Sequence, residues 1–220
     1  MRRTTSTKQR SKQKSPQVGA RTQQIIDAAA RVFREKGYDG TTLRDIAKEA
    51  GLLPGSLYYH IRSKEDLLRL IVEQPIRDLH AHLEEVVASD APAAQKLAQA
   101  IAAHLRCFDR HYPYLFVNLR NMLQVDSMRS SMRKRAKRYE EFWQQILNQG
   151  VKTGEFPAGL DVKVVSFAIL GMCNWMHRWY RQEGRLSMEE IIQQFTRLVI
   201  DGLRPQTPEQ PPDLDRYLLG

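Results

Sequence analysis

The sequence predicts an all-α fold of about nine helices, and three features predict it. Apolar residues recur at i, i+3/i+4 and i+7 over long stretches, the spacing of one buried helix face. Ser, Thr or Asp stand before such stretches and Gly or Pro behind them, as helix starts and stops do. No run reads as a strand, and no internal repeat or low-complexity core is visible.

The first twenty residues are Lys, Arg, Ser, Thr and Gln with almost nothing apolar. They are expected to form a disordered basic tail, because they have no core to bury. A first helix begins at Arg21, with Ile25, Ile26, Ala29, Val32 and Phe33 on its inner face. Gly37 is expected to end it in an αL cap. Thr42 caps the next helix, and Asp45 three residues on makes a carboxylate capping box. Gly51 supplies a turn, Leu52 a core plug, and Pro54 suits the first turn of the following helix. Ser63 caps a fourth helix, with Glu65 and Asp66 favourable near its positive end. Helical patterning continues to about Val87, with Pro75 as an expected kink or break.

Ser89 to Pro92 is a stop and restart, and a helix runs from there to Arg110. His111-Tyr112-Pro113 breaks it before a short apolar helix that holds Leu115, Phe116, Leu119, Met122 and Leu123. Another helix covers roughly 127–153 and stops at Gly154. Asp161 opens an apolar helix expected over 162–180. Ser187 and Glu190 form a second capping box for a last amphipathic helix over 188–203. The prolines from Pro205 on end the regular structure. The expected division is a tail 1–20, a head 21–68, a larger helical unit 69–203 and a Pro-rich tail 204–220.

Composition bounds the function. At 220 residues the chain can bury a sizeable core, and 42% hydrophobic with 27% charged residues is a globular balance. No apolar run reaches the roughly 18 residues of a membrane span. The charged N-terminus does not read as a signal peptide. Two cysteines, Cys107 and Cys173, are too few for a disulfide framework and suit a reducing cytoplasm. The net charge is +9, and Arg2, Arg3, Lys8, Arg10, Lys12 and Lys14 put six positive charges into the first tail with no acid beside them. Such a balance favours polyanionic partners. It fits a solvated tail and a DNA-contacting arm equally.

The stretch 41–68 carries the sharpest signal. Helix, tight Gly turn and second helix is the geometry that places one helix in a DNA major groove. Thr42-Leu43-Arg44-Asp45-Ile46-Ala47, Ala50-Gly51, Gly55-Ser56-Leu57-Tyr58-Tyr59-His60 and Lys64-Glu65-Asp66-Leu67 resemble the DNA-binding domain of the tetracycline-repressor (TetR) family. The preceding helix, with Ala29, Phe33 and Gly37-Tyr38, resembles that family's first helix. The resemblance implies that Thr42 and Arg44 contact backbone or groove, and that Pro54, Gly55 and Ser56 begin the recognition helix. It implies that Tyr59 and His60 reach phosphates, that Tyr58 packs the core, and that Lys64 pairs with a phosphate. Ile61 stands where the family usually has Phe. Leu53-Pro54 replaces a more usual polar pair, which moves sequence readout onto Arg44, Ser56 and DNA shape.

The resemblance also implies a small-molecule effector and a homodimer in the C-terminal half. Leu147-Asn148-Gln149-Gly150, Gly154-Glu155-Phe156, Asp161-Val162 and Arg178-Trp179-Tyr180 resemble regulators of fatty-acid or sterol catabolism that respond to acyl-CoA thioesters. Phe116, Leu119, Met122, Leu123, Phe142, Ile146, Met172 and Trp175 are candidates for an apolar wall, with Arg178 beside it. For any one of them, ordinary interhelical core is the better reading. Arg133, Arg135 and Arg138, within a basic run from Arg129, are candidates for CoA phosphates, or else a solvated face. Trp179, Ile192, Phe195, Val199 and Leu203 are the candidate dimer interface.

Other readings carry less. His104, Cys107 and His111 share a helix face, but no fourth ligand accompanies them, and packing accounts for them without a metal. No phosphate loop, nucleophile elbow or paired carboxylates point to an enzyme. A multidrug-type effector, hydrophobic or cationic, remains an alternative, and buried acids among aromatics would mark it. The acids of the C-terminal half that the sequence places lie at helix ends or in turns. A helical protein–protein module without DNA is the alternative of another class. The expected partners are operator DNA, a second copy and a small effector, with no cofactor and no membrane.

Overall fold

The computed structural model describes residues 19–111 and 126–205, and among them it is all helix. The elements are α1 (Ala20–Lys36), α2 (Leu43–Glu49), α3 (Pro54–Leu57), α4 (Lys64–Ala88), α5 (Ala93–Arg110), α6 (Asp126–Thr153), α7 (Val162–Asn174), α8 (Met176–Trp179) and α9 (Met188–Gly202). No described helix is long and apolar enough to cross a membrane. The tails 1–18 and 206–220 lie outside the described residues, as does the apolar helix expected around Phe116 to Leu123.

The N-terminal helices form where their caps place them. Thr42 Oγ1 accepts the Asp45 backbone N–H at 3.2 Å, and Asp45 Oδ2 accepts the Thr42 backbone N–H at 2.9 Å, closing the expected capping box. Lys36 Nζ adds an ion pair to Asp45 at 2.5 Å. At the other end of α2, Leu52 N–H reaches Ala47 C=O and Gly51 N–H reaches Lys48 C=O. This paired closure needs a positive φ at Gly51, which is +64°. Gly37 also has positive φ, but its ψ of 165° is extended, so α1 does not end in the αL cap expected of it.

Two expected boundaries moved. Pro75 lies buried inside α4 and does not break it: the helix runs 25 residues. The expected 162–180 helix divides at Trp175, because Arg178 N–H bonds back to Trp175 C=O over only three residues and tightens the backbone there.

Two buried clusters hold the molecule. One unites α1, α2, α3 and the first turns of α4 around Phe33, Ile46, Leu57, Leu67 and Leu68. It includes Ile71 and Val72, so α4 crosses the head boundary expected at 68. The other unites α4 to α9 around Leu97, Ile101, Phe142, Trp143 and Ile169. Met132 of α6 belongs to the first cluster, so α6 reaches into the head.

The motif around Gly150 to Phe156 proves to be a clasp. The Phe156 ring packs on Gly150, where a Cβ would lie 2.0 Å from it. Glu155 accepts the Ala93 and Ala94 backbone N–H groups at 2.9 and 3.0 Å, capping α5 behind Pro92, which offers no capping side chain. Those amides hold the Glu155 carboxyl below its ordinary pKa. Buried Lys96 is satisfied by Val87 C=O and Gln149 Oε1, each at 2.8 Å.

Candidate nucleic-acid interface and bundle cavity

The head presents a short exposed helix. In α3 only Leu57 is buried, while Pro54 and Gly55 are exposed and Ser56 is half-buried. Arg44, His60, Lys48 and Arg62 are exposed around it. Two acids of α2 are engaged elsewhere: Asp45 with Lys36 and the α2 cap, and Glu49 with Arg31 at 2.8 Å. An exposed basic surface beside a short exposed helix is the electrostatic form that phosphates require.

Tyr58, Lys64 and Thr42 sit differently from the sequence reading, while Tyr59 sits as it expected. Tyr58, expected in the core, is 60% exposed; Leu57 fills that place. Tyr59 is 90% exposed and available for contact. Lys64, expected on a phosphate, donates to Tyr38 C=O at 2.7 Å and Thr41 C=O at 3.1 Å, with its ammonium 4.3 Å from the Tyr38 ring centroid. Its reach and the closeness of two carbonyls make it a staple between α4 and the turn after α1. The Thr42 hydroxyl is likewise spent on Asp45, to which it donates at 2.6 Å. Leu53, 77% exposed, keeps the apolar approach to α3 that the sequence indicated.

A cavity of about 260 Å³ opens in the helical bundle. Helix α4 contributes Ile76, Leu79 and His80; α5 contributes His104, Cys107 and Phe108; α6 contributes Met132, Arg135, Ala136, Tyr139 and Glu140; α7 contributes Leu170 and Asn174. The lining is mostly apolar with a polar seam. The His104 Nδ1 lies 2.5 Å from the Tyr139 hydroxyl, and the His80 ring stacks on Tyr139 with centroids 5.5 Å apart. Burial lowers His104 to about 4, against a smaller opposing effect of a hydrogen bond with Asn174. Burial, then the Arg135 charge, lowers His80. Burial pushes the Cys107 thiol up to about 11, which disfavours its thiolate.

Of the effector residues expected from sequence, Arg135 alone among the described ones lines this cavity. Phe142 and Ile146 are fully packed in the bundle core, and Met172 packs against that core from outside the cavity. Trp175 is 60% exposed, with Arg178 stacked over it at 5.8 Å. Arg133 is exposed, and Arg138 pairs with Glu84 at 3.4 Å and Glu141 at 3.6 Å. Phe116, Leu119, Met122 and Leu123 fall outside the described residues. Glu140 corrects the expectation that acids keep to helix ends, since it sits mid-helix on the lining. The signal that was present is the polar pair His104 and Cys107 on the face of an otherwise apolar helix.

The outer face of α7 carries exposed Val164, Phe167 and, just past its end, Trp175; Trp179 of α8 and Leu198 of α9 are exposed too. Of the expected interface, Trp179 is exposed and Phe195 and Val199 are partly so. Ile192 and Leu203 are buried in the chain's own core, because the amphipathic face of α9 turns inward against α5.

The comparisons agree with this architecture. Residues 25–71 match the model for bacterial regulatory proteins of the tetR family, and residues 90–203 match a tetracyclin repressor-like C-terminal domain. The HTH-type transcriptional repressor KstR2 of Mycobacterium tuberculosis is 31% identical over 190 residues, covering 85% of this chain and 94% of that protein. The structure of that ketosteroid transcriptional regulator superposes with a TM-score of 0.77 at 29% identity, over 86% of this chain and 98% of that one. The fatty acid metabolism regulator protein of Bacillus subtilis is 27% identical over 194 residues, 87% of this chain and 98% of that protein. A structure of AibR in complex with isovaleryl coenzyme A and operator DNA is similar at a TM-score of 0.70 and 25% identity, over 81% of this chain and 97% of that one. An exposed helix-turn-helix on a cavity-bearing bundle, with both halves matched, places this chain in the TetR family of ligand-responsive, DNA-binding transcriptional repressors.

Proposed function

We propose that the chain works as a homodimer released from operator DNA by an acyl-CoA thioester. The observation that carries the reading is the cavity itself: mostly apolar, with Arg135 on its wall, and bounded by the helix that leads into the head. Its 260 Å³ is below the roughly 300–1,000 Å³ typical of pockets for drug-sized ligands. It suits an acyl group and leaves a CoA nucleotide outside, near the basic run of α6. Similarity to a fatty acid regulator and to a protein crystallised with isovaleryl coenzyme A supports this class.

The mechanism follows from one helix. The first turns of α4 are in the head core, and Ile76, Leu79 and His80 line the cavity. An acyl group that prefers a shifted α4 moves the two heads away from the spacing of successive major grooves, about 34–36 Å. DNA affinity then falls by the effector's differential affinity for the two states. The exposed apolar residues of α7 to α9 supply the two-fold contact. Glu140 beside Tyr139 favours a second reading, a hydrophobic cation as effector.

The test is fluorescence anisotropy with a genomic fragment recovered on the protein itself. Addition of medium-chain acyl-CoA thioesters is expected to release DNA, while CoA alone and a quaternary ammonium dye leave it bound. Release by the dye and not by any thioester selects the second reading.

A further inference from the structure

The seam between head and bundle is built from two short stretches. On α4, Val72 is in the head core, Glu73 follows it, and Ile76 lines the cavity. On α6, Met132 is in the head core, and Arg135 and Ala136, one turn on, line the cavity. Across this seam Arg135 pairs with Glu73 at 3.9 Å, with the two side chains 29% and 18% exposed. Among the described lining residues Arg135 is the one arginine or lysine.

Glu73 has other partners on its own helix. Arg77 lies 3.3 Å away and Arg69 3.9 Å away. If Arg135 leaves, Glu73 stays neutralised. Arg135 has no such reserve among the described ion pairs, so a new anion would take it readily. A pair at 3.9 Å is also too long for a direct hydrogen bond, which makes exchange cheap.

We propose that Arg135 is a two-partner switch: it holds Glu73 across the seam when the cavity is empty, and passes to the anionic head of an effector when the cavity is filled. The inference rests on the cavity being the effector site. The effector class it selects has an apolar body and an anion close to it, either a CoA phosphate or a free carboxylate. The exchange unties α4 from α6 at the point where both enter the head, so effector charge is read as head position. Glu140, the acid of the lining, repels the same anion and confines it to the Arg135 side.

The experiment uses the full chain, Glu73→Gln, Arg135→Gln and the double variant. Operator affinity is measured alone and with octanoyl-CoA, octanoate or methyl octanoate. Without any acyl compound, each single variant is expected to weaken DNA binding by about threefold or more, and the double variant no further, because both changes remove one contact. Arg135→Gln is expected to cost octanoyl-CoA about tenfold in affinity and methyl octanoate nothing. Octanoate losing the same factor identifies a carboxylate as sufficient; octanoate indifferent to Arg135→Gln identifies the CoA phosphates. Additive effects of the two single changes on DNA affinity overturn the switch, as does equal loss of octanoyl-CoA and methyl octanoate binding. If no thioester binds the wild type, the effector reading fails alone, and the DNA-affinity cycle still decides the Glu73–Arg135 contact.

Discussion

Tyr59 and Lys64 separate contact from staple. Tyr59 projects into solvent, so Tyr59→Ala should leave stability within about 0.5 kcal/mol and weaken DNA binding by about tenfold, the worth of one good hydrogen bond. Lys64 ties two carbonyls, so Lys64→Ala should lose about 1–2 kcal/mol in urea unfolding of the DNA-free protein. Equal stability of the two variants would contradict the staple. His104 gives a pH signature. Its folded pKa of about 4 lies below its unfolded value near 6.5, so the unfolded chain binds the proton more readily. This contribution to stability is full above about pH 6.5 and is lost as pH falls toward 4, by up to roughly 3 kcal/mol. Urea midpoints at neutral and mildly acid pH should diverge in the wild type and lie closer together in His104→Asn, with His80 keeping part of the same dependence.

At the scale of the element, local chemistry carried the starts of helices. Thr42, Ser63, Asp161 and Ser187 cap where the sequence placed them, because a cap is a contact within three residues. Thr42→Ala is expected to cost about 1 kcal/mol of stability, and Thr42→Ser to restore most of it, as read by thermal unfolding. Element interiors were less legible. Pro75 reads as a kink or break by its chemistry, yet α4, packed on α5 and α6, continues through it. The Trp175 division leaves no residue signature, for neither Gly nor Pro stands there. The cavity wall was missed for a related reason. Periodicity shows that Phe142 and Ile146 face inward, but a closed core and a hole look alike from one helix.

For the whole molecule, the exposed apolar residues of α7 are the surface on which the proposed homodimer closes. Phe167→Glu should shift the protein to monomer in light scattering and reduce operator affinity, with little change in the monomer's fold, since Phe167 is 45% exposed. A variant that stays dimeric would move the interface elsewhere. The sequence by itself determined the helical class, the caps, the Gly51 turn and the reading head, because each is written in neighbours a few residues apart. Only the tertiary structure decided that Tyr58 faces solvent, that Lys64 is a staple, and that Ile192 and Leu203 belong to the chain's own core. It alone placed Arg135 between Glu73 and the cavity. Those outcomes depend on which faces of distant helices meet, and a pattern along one helix cannot specify its neighbour.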